Sequence, residues 1–191
     1  IKAVSADFGH RAQIETELLE LSAVARAARS TRRELGQWMK PTSVKTPLLA
    51  APGRSQIRYE PKGVIGVVSP WNYPIQLSLM PLLAALAAGC RVMIKPSELT
   101  PHTNRVMAER IAKAFPADQV TVVEGGPEVA EAFSSLAFDH LMFTGSTRIG
   151  RKVATAAAEN MTPLTLELGG KSPVFVDPTY PLKDLVHPLT W

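Results

Sequence analysis

Four short stretches hold residues whose types and spacing could do chemistry. In TPLTLELGGKSPVFV (Thr162 to Val176), a largely apolar run reaches Glu167, and two glycines follow Leu168. A carboxylate closing a strand that reads as buried is costly unless a partner satisfies it. It is either tied to a buried lysine or to backbone N–H groups, or it is a base whose proton affinity is used. In SPWNYP, two prolines bracket Trp71, Asn72 and Tyr73. Such a turn can fix an asparagine amide as a donor to a developing oxyanion, though asparagine is also a common turn residue. In IKPSE, Lys95 closes a predicted strand and Glu98 lies just beyond. A donor beside an acceptor at a strand's carboxyl end suits ribose hydroxyls, and a surface ion pair has the same spacing. In FTGSTRIG, Gly145 follows a strand and a helix follows Ser146. Free backbone N–H groups at such a helix start can hold a phosphate, and a glycine turn with a serine cap reads the same way.

Four tempting readings fail on spacing or surroundings. Gly145 and Gly150 are separated by four residues, so FTGSTRIG is not G-x-G-x-x-G. Arg151 and Lys152 stand where a Walker A loop needs lysine then serine or threonine, and GGKS has Thr165 where that loop needs glycine. A P-loop NTPase is therefore disfavoured. Cys90, the single cysteine, sits between an apolar helix and a strand with no histidine near in sequence, and reads as a small buried residue. His10, His102, His140 and His187 are scattered without metal-ligand spacing.

The elements that must position these groups are legible from periodicity. Ala12 to Met39 predicts one or two amphipathic helices, and the proline-rich Lys40 to Gly63 a connector with at most edge strands, SQIRYEP being extended. From Val64 onward strands and helices alternate. VIGVVS, RVMIK, VTVVEG, HLMFT, LTLEL and PVFV read as strands. IQLSLMPLLAALAAG stops at Gly89, and further helices span Thr103–Phe115, Pro127–Leu136, Ser146–Asn160 and Pro181 onward, the last interrupted at Pro188. This alternation predicts an α/β fold with a doubly wound parallel sheet and N-terminal helices. In such sheets ligands bind beyond the strands' carboxyl ends, where the four stretches fall.

Composition narrows the class. The chain has 191 residues, 46% of them hydrophobic, and a formal charge of +4, without a run of basic residues. The arginines from Arg26 to Arg33 are spaced like a solvated helix face, which argues against nucleic acid as a partner. One cysteine excludes an internal disulfide and points to a reducing compartment, the cytoplasm. No apolar run has transmembrane length, so no membrane is expected. The chain starts at Ile1 and ends on an apolar helical pattern, so both ends read as cut.

In combination, SPWNYP, AAGCRVMIKPSE, FTGSTRIG and LTLELGGKSP resemble the aldehyde dehydrogenase superfamily from about Tyr59 to the end. FDHLMFTGSTRIG and MTPLTLELGGKSPVFVD are most similar to its class 3 branch and to bacterial coniferyl-aldehyde-dehydrogenase-like proteins. The resemblance implies N-terminal helices and a connector over 1–58, then a Rossmann-like NAD-binding domain over 59–191 that stops before the catalytic domain. It implies NAD(P)-dependent oxidation of an aldehyde to an acid, by way of a cysteine thiohemiacetal and a thioester that water hydrolyses.

By the same resemblance, Asn72 matches the oxyanion donor and Glu167 the general base. Lys95 and Glu98 match the adenosine-ribose contacts, Gly145 and Ser146 the turn near the pyrophosphate, and Trp71 the cofactor wall. Ser69, Ser97, Thr144, Ile149, Gly150, Leu168 and Gly169 complete the cofactor-binding set; no metal is expected. The charge of Glu98 disfavours a 2′-phosphate, so NAD is expected, with NADP left open by the class 3 likeness. The intact protein is expected to be a homodimer. The family's nucleophile lies in a Gly-Gln-x-Cys type motif beyond the glutamate, and Leu168 to Trp191 contains no cysteine. The chain alone is therefore expected to lack turnover, the alternative being a non-catalytic NAD-binding or assembly piece.

Overall fold

The helical patterning of Ala12 to Met39 is realised in a computed structural model that describes residues 1–190, and a further helix, outside that pattern, precedes it. α1 (Lys2–Phe8) ends at Gly9; α2 (Gln13–Glu15) runs through a π-helical turn (Thr16–Leu21) into α3 (Ser22–Trp38). The connector carries an antiparallel pair, β1 (Thr42–Val44) with β2 (Ser55–Ile57), so the prolines leave only the short strands expected there. Then follow β3 (Val64–Val68), α4 (Pro74–Ala87), β4 (Arg91–Lys95), α5 (Pro101–Ala114), β5 (Val120–Val122), α6 (Pro127–Ser134), β6 (His140–Gly145), α7 (Thr147–Glu159), β7 (Leu164–Leu168) and α8 (Leu182–Thr190). Gly89 ends α4 at φ 82°, a conformation that favours glycine.

The five strands from β3 to β7 form one parallel sheet in the order β5-β4-β3-β6-β7. From β3 the chain winds outward through α4, β4, α5 and β5; from β6 it winds the other way through α7 and β7. The order reverses between β3 and β6, which makes their carboxyl ends the topological switch point.

Strand alternation divides the core into two layers. Ile65, Val67, Val92 and Ile94 face Leu82, Ala85, Met107 and Ile111 of α4 and α5. Leu141 and Phe143 face Phe133 of α6 and Val153 and Ala157 of α7. Gly66 points toward the second layer, where a Cβ would lie 2.6 Å from the Phe138 ring, so only glycine lets that ring pack on the sheet. Cys90 is buried in the first layer, as its apolar surroundings predict.

Carboxylates from the N-terminal helices close two of the wing helices. α4 and α5 both begin with proline, and neither cap residue, Tyr73 or Thr100, offers a side-chain cap. Glu20 Oε2 instead accepts from the N–H groups of Ile75 (2.7 Å) and Gln76 (3.1 Å). Asp7 accepts from the N–H groups of His102 (3.0 Å) and Thr103 (2.8 Å) and from the Thr103 hydroxyl (2.6 Å). Each carboxylate satisfies orphan donors at the positive end of a helix dipole.

Three expectations need correction. PVFV forms no strand: β7 is the last strand of the sheet, Pro173–Val176 pairs with nothing among the described residues, and Phe175 is 94% exposed. α8 continues through Pro188 to Thr190. A proline one turn from a helix end forfeits a single terminal bond. Glu167 is exposed, because an edge strand lacks a covering neighbour on one side.

Replacing Asp7 by alanine leaves three donors of α5 to water alone, and is expected to lower the unfolding free energy by about 1–2 kcal/mol. Urea denaturation checks it: an unchanged midpoint would show that the cap contributes nothing.

Candidate functional site

Because all five strands of the main sheet run the same way, their carboxyl ends share one edge. Lys95 is in register with Val68, and Val68 with Phe143; one step further out Thr144 pairs with Glu167 and Gly145 with Leu168. The four stretches singled out in the sequence therefore converge on this edge. Ser69 is buried there. Its N–H donates to the Lys95 carbonyl at 3.2 Å, and its hydroxyl meets that of Ser78 at 2.6 Å, which ties the end of β3 to β4 and to α4.

Lys95 departs from the surface-pair reading, since it is 1% exposed. Its ammonium donates to the Pro96 carbonyl at 2.8 Å and lies 3.8 Å from Glu98 Oε2. An ammonium has three donors, so its hydrogen-bonding capacity is not used up by these partners. Burial pushes its pKa below the ordinary 10.5, while the charges of Glu98 and Glu128 oppose that shift. Glu98 is more open, with 42% of its side chain exposed. The carbonyl of Ser97 accepts from the Asn104 amide (2.7 Å) and the Thr100 hydroxyl (3.3 Å), so α5 anchors this loop. A fixed lysine beside an accessible carboxylate can bind a vicinal diol by donation and acceptance together.

On the other side of the switch point, β6 ends at Gly145 and Ser146 caps α7, its hydroxyl accepting from the Ile149 N–H at 3.4 Å. The first N–H groups of a helix have no intrahelical acceptors, which leaves this end available to an anion. Gly150 is buried, and a Cβ there would lie 2.8 Å from Leu168 Cδ2, so α7 sits close on β7. Thr144 and Ile149 are half-buried, whereas Leu168 and Gly169 are exposed at the rim. A donor–acceptor pair on one side and an open helix start on the other have the polarity that a dinucleotide lying across the crevice would need.

Asn72 and Trp71 are exposed in the turn after β3, and Glu167 stands at the end of β7. The Trp71 ring lies 6.0 Å, centroid to centroid, from Phe8 of α1. A cleft of about 290 Å³ beside the turn is lined by Phe8, His10, Arg11, Glu15, Asn72 and Tyr73. Arg11 was not legible as part of a site. Its Nη1 donates to the Asn72 carbonyl at 2.7 Å across 61 residues of sequence. Proline-led helices without local caps call for carboxylates from elsewhere, such as Asp7 and Glu20, and give no signal for an arginine. Among the described residues no group of metal-ligating side chains gathers, and no helix is long and apolar enough to cross a membrane.

Comparison with known proteins adds three likenesses and a family. The model described as "Aldehyde dehydrogenase family" matches residues 9–191. A Pseudomonas aeruginosa protein named "Probable coniferyl aldehyde dehydrogenase" is 50% identical over 184 residues, covering 96% of this chain and 39% of that protein. The structure of the substrate-bound state of Staphylococcus aureus AldH superposes with a TM-score of 0.89 at 42% identity, over 93% of this chain and 39% of that one. A Mycobacterium tuberculosis aldehyde dehydrogenase complexed with NAD+ gives a TM-score of 0.78 at 33% identity, over 90% of this chain and 35% of that one. The chain thus spans well under half the length of these relatives.

Burial of Lys95 makes a pH prediction. Its pKa is lower folded than unfolded, so between the two values the unfolded chain binds more protons and stability rises with pH. The wild type should gain stability relative to Lys95→Met as the pH is raised toward 10.5, with a constant difference below the folded-state pKa. Urea titrations of both proteins across that range measure it, and a difference independent of pH would contradict the assignment.

Proposed function

Because this chain belongs to the aldehyde dehydrogenase family, we propose that it supplies the NAD-binding part, and two reacting-site groups, of an enzyme that oxidises an aldehyde to a carboxylic acid. The observation that carries the reading is Lys95: a buried ammonium with spare donors, beside Glu98, at the switch point of a doubly wound sheet.

Lys95 and Glu98 hold the hydroxyls of the adenosine ribose. Gly145 and Ser146 bring the start of α7 against the pyrophosphate. Trp71 forms part of the cofactor wall, and Ser69, Ser97, Thr144, Ile149, Gly150, Leu168 and Gly169 shape the rest. The negative charge of Glu98 repels a ribose 2′-phosphate, so NAD is preferred over NADP, in keeping with the NAD+ complex of the Mycobacterium tuberculosis relative. When bound, the nicotinamide accepts a hydride.

Asn72 donates its side-chain amide to the substrate oxygen as charge grows there. Glu167, open to solvent on the edge strand, takes a proton from the hydrolytic water. Cys90 is shut in the core, so the thiol nucleophile comes from elsewhere in the intact enzyme. The substrate class is an aromatic enal such as coniferyl aldehyde, after the name of the Pseudomonas aeruginosa relative.

The domain division falls near residue 58, the connector separating the N-terminal helices from the cofactor-binding unit. The intact protein acts as a cytoplasmic homodimer, with neither nucleic acid nor membrane as a partner. Arg26, Arg29, Arg32 and Arg33 form an exposed face of α3, in keeping with solvation.

Two experiments test this reading. Calorimetry should show NAD binding that Lys95→Ala abolishes, while Glu98→Gln should narrow the preference for NAD over NADP; equal NAD affinity in all three proteins would refute the pocket. In the intact enzyme, Glu167→Gln should keep a pre-steady-state burst of NADH and lose steady-state turnover by about 10²–10⁴-fold. Loss of the burst to the same extent would place Glu167 before hydrolysis instead.

A further inference from the structure

The turn that carries Asn72 is clamped by a group that the reaction itself does not use. The Arg11 side chain is buried, with 5% of it exposed. Its guanidinium carbon lies 4.9 Å from the centroid of the Phe8 ring and 4.6 Å from that of Tyr73, so it is stacked against both. Nη1 donates to the carbonyl of Asn72 at 2.7 Å and lies 3.4 Å from Glu20 Oε1; Nη2 donates to Glu15 Oε1 at 3.0 Å. The other oxygen of Glu20 holds the N–H groups of Ile75 and Gln76.

We propose that Arg11 is a positioning residue for Asn72, acting with Glu20 to fix the turn from both sides. This rests on the reading of Asn72 as the oxyanion donor. The geometry supports it in three ways. The bond goes to the carbonyl of Asn72 itself, so it fixes the peptide plane that sets the direction of that residue's Cα–Cβ bond. The stacking on Tyr73 fixes the next residue, and Glu20 fixes the residues after Pro74. The Asn72 side chain is exposed and has no hydrogen bond among the described residues, so what the fold fixes is the direction of its Cα–Cβ bond.

A lysine cannot replace the guanidinium. It offers a point charge instead of a planar fork, and it cannot stack on two rings while donating to the Asn72 carbonyl and to Glu15 and standing beside the Glu20 carboxylate. It does keep the positive charge beside Glu20, which avoids leaving a buried carboxylate unpaired.

Steady-state kinetics of the intact enzyme with NAD and coniferyl aldehyde test the proposal, using Arg11→Lys, Asn72→Ala and the double variant, with thermal midpoints for each. Arg11→Lys should lower kcat by about 10²-fold through misplacement of the donor, with KM for NAD at the wild-type value. Added to Asn72→Ala, it should lower kcat no further, since the group it positions is gone. Two results would overturn the proposal: a folded Arg11→Lys enzyme with wild-type kcat, or an effect that multiplies in full with that of Asn72→Ala. If Asn72→Ala itself leaves kcat unchanged, the oxyanion reading fails first and the proposal falls with it, a result distinct from the other two.

Discussion

The carboxylate of Glu20 has no exposed surface, and much of the rest hangs on how its charge is met: Oε2 is hydrogen-bonded, while Oε1 has only the Arg11 guanidinium at 3.4 Å. A buried carboxylate without partners costs several kcal/mol. Here it meets two N–H groups and the positive end of the α4 dipole on one side, and the Arg11 guanidinium on the other. Removal of either partner leaves a charge in the interior. The π-helical turn that carries Glu20 is thereby bound to the start of α4, and the loop between β3 and α4 is held where it enters that helix. With Asp7 at the start of α5, the same device is used twice. The N-terminal helices act as structural parts of the sheet's first wing.

The crevice inherits this rigidity. α4 and α5 pack on the layer that contains Ile94, and the next residue, Lys95, is carried into the edge. Desolvation works against the Lys95 charge, and the nearby carboxylates work for it. That balance suits a group meant to meet a polar ligand: a fully satisfied ammonium would have nothing to donate, and an exposed one would be held by water. Across the crevice the close seating of Gly150 on β7 brings the start of α7 up to the strand ends. The N–H groups at that helix start thus stand at the sheet edge, with Arg148 the basic residue in the first turn.

Much of this was written in local sequence. The alternation of strands and helices, Gly89 as a stop, the buried Cys90, and the pairing of Lys95 with Glu98 depend on neighbours within a few positions, where propensity and periodicity act. The resemblance then assigned roles to residues whose local context left two readings open. Glu167 is the instructive case. Its apolar run is that of a buried strand, yet it stands on the sheet's edge, and periodicity does not tell an edge from a centre. PVFV failed for a related reason: its β propensity is real, but a strand requires a partner.

The sequence by itself determined most of the strands and helices, and which polar residues stand at their ends, because those choices are settled largely by interactions of short range. Only the tertiary structure decided that Asp7 and Glu20 cap helices some 55 to 96 positions away, that Arg11 grips Asn72, that Lys95 is buried and that Glu167 is not. Burial and long-range hydrogen bonds belong to the packed arrangement of layers. A charged residue in a helix reads the same in sequence whether it faces water or closes another helix, and only the fold chooses between them.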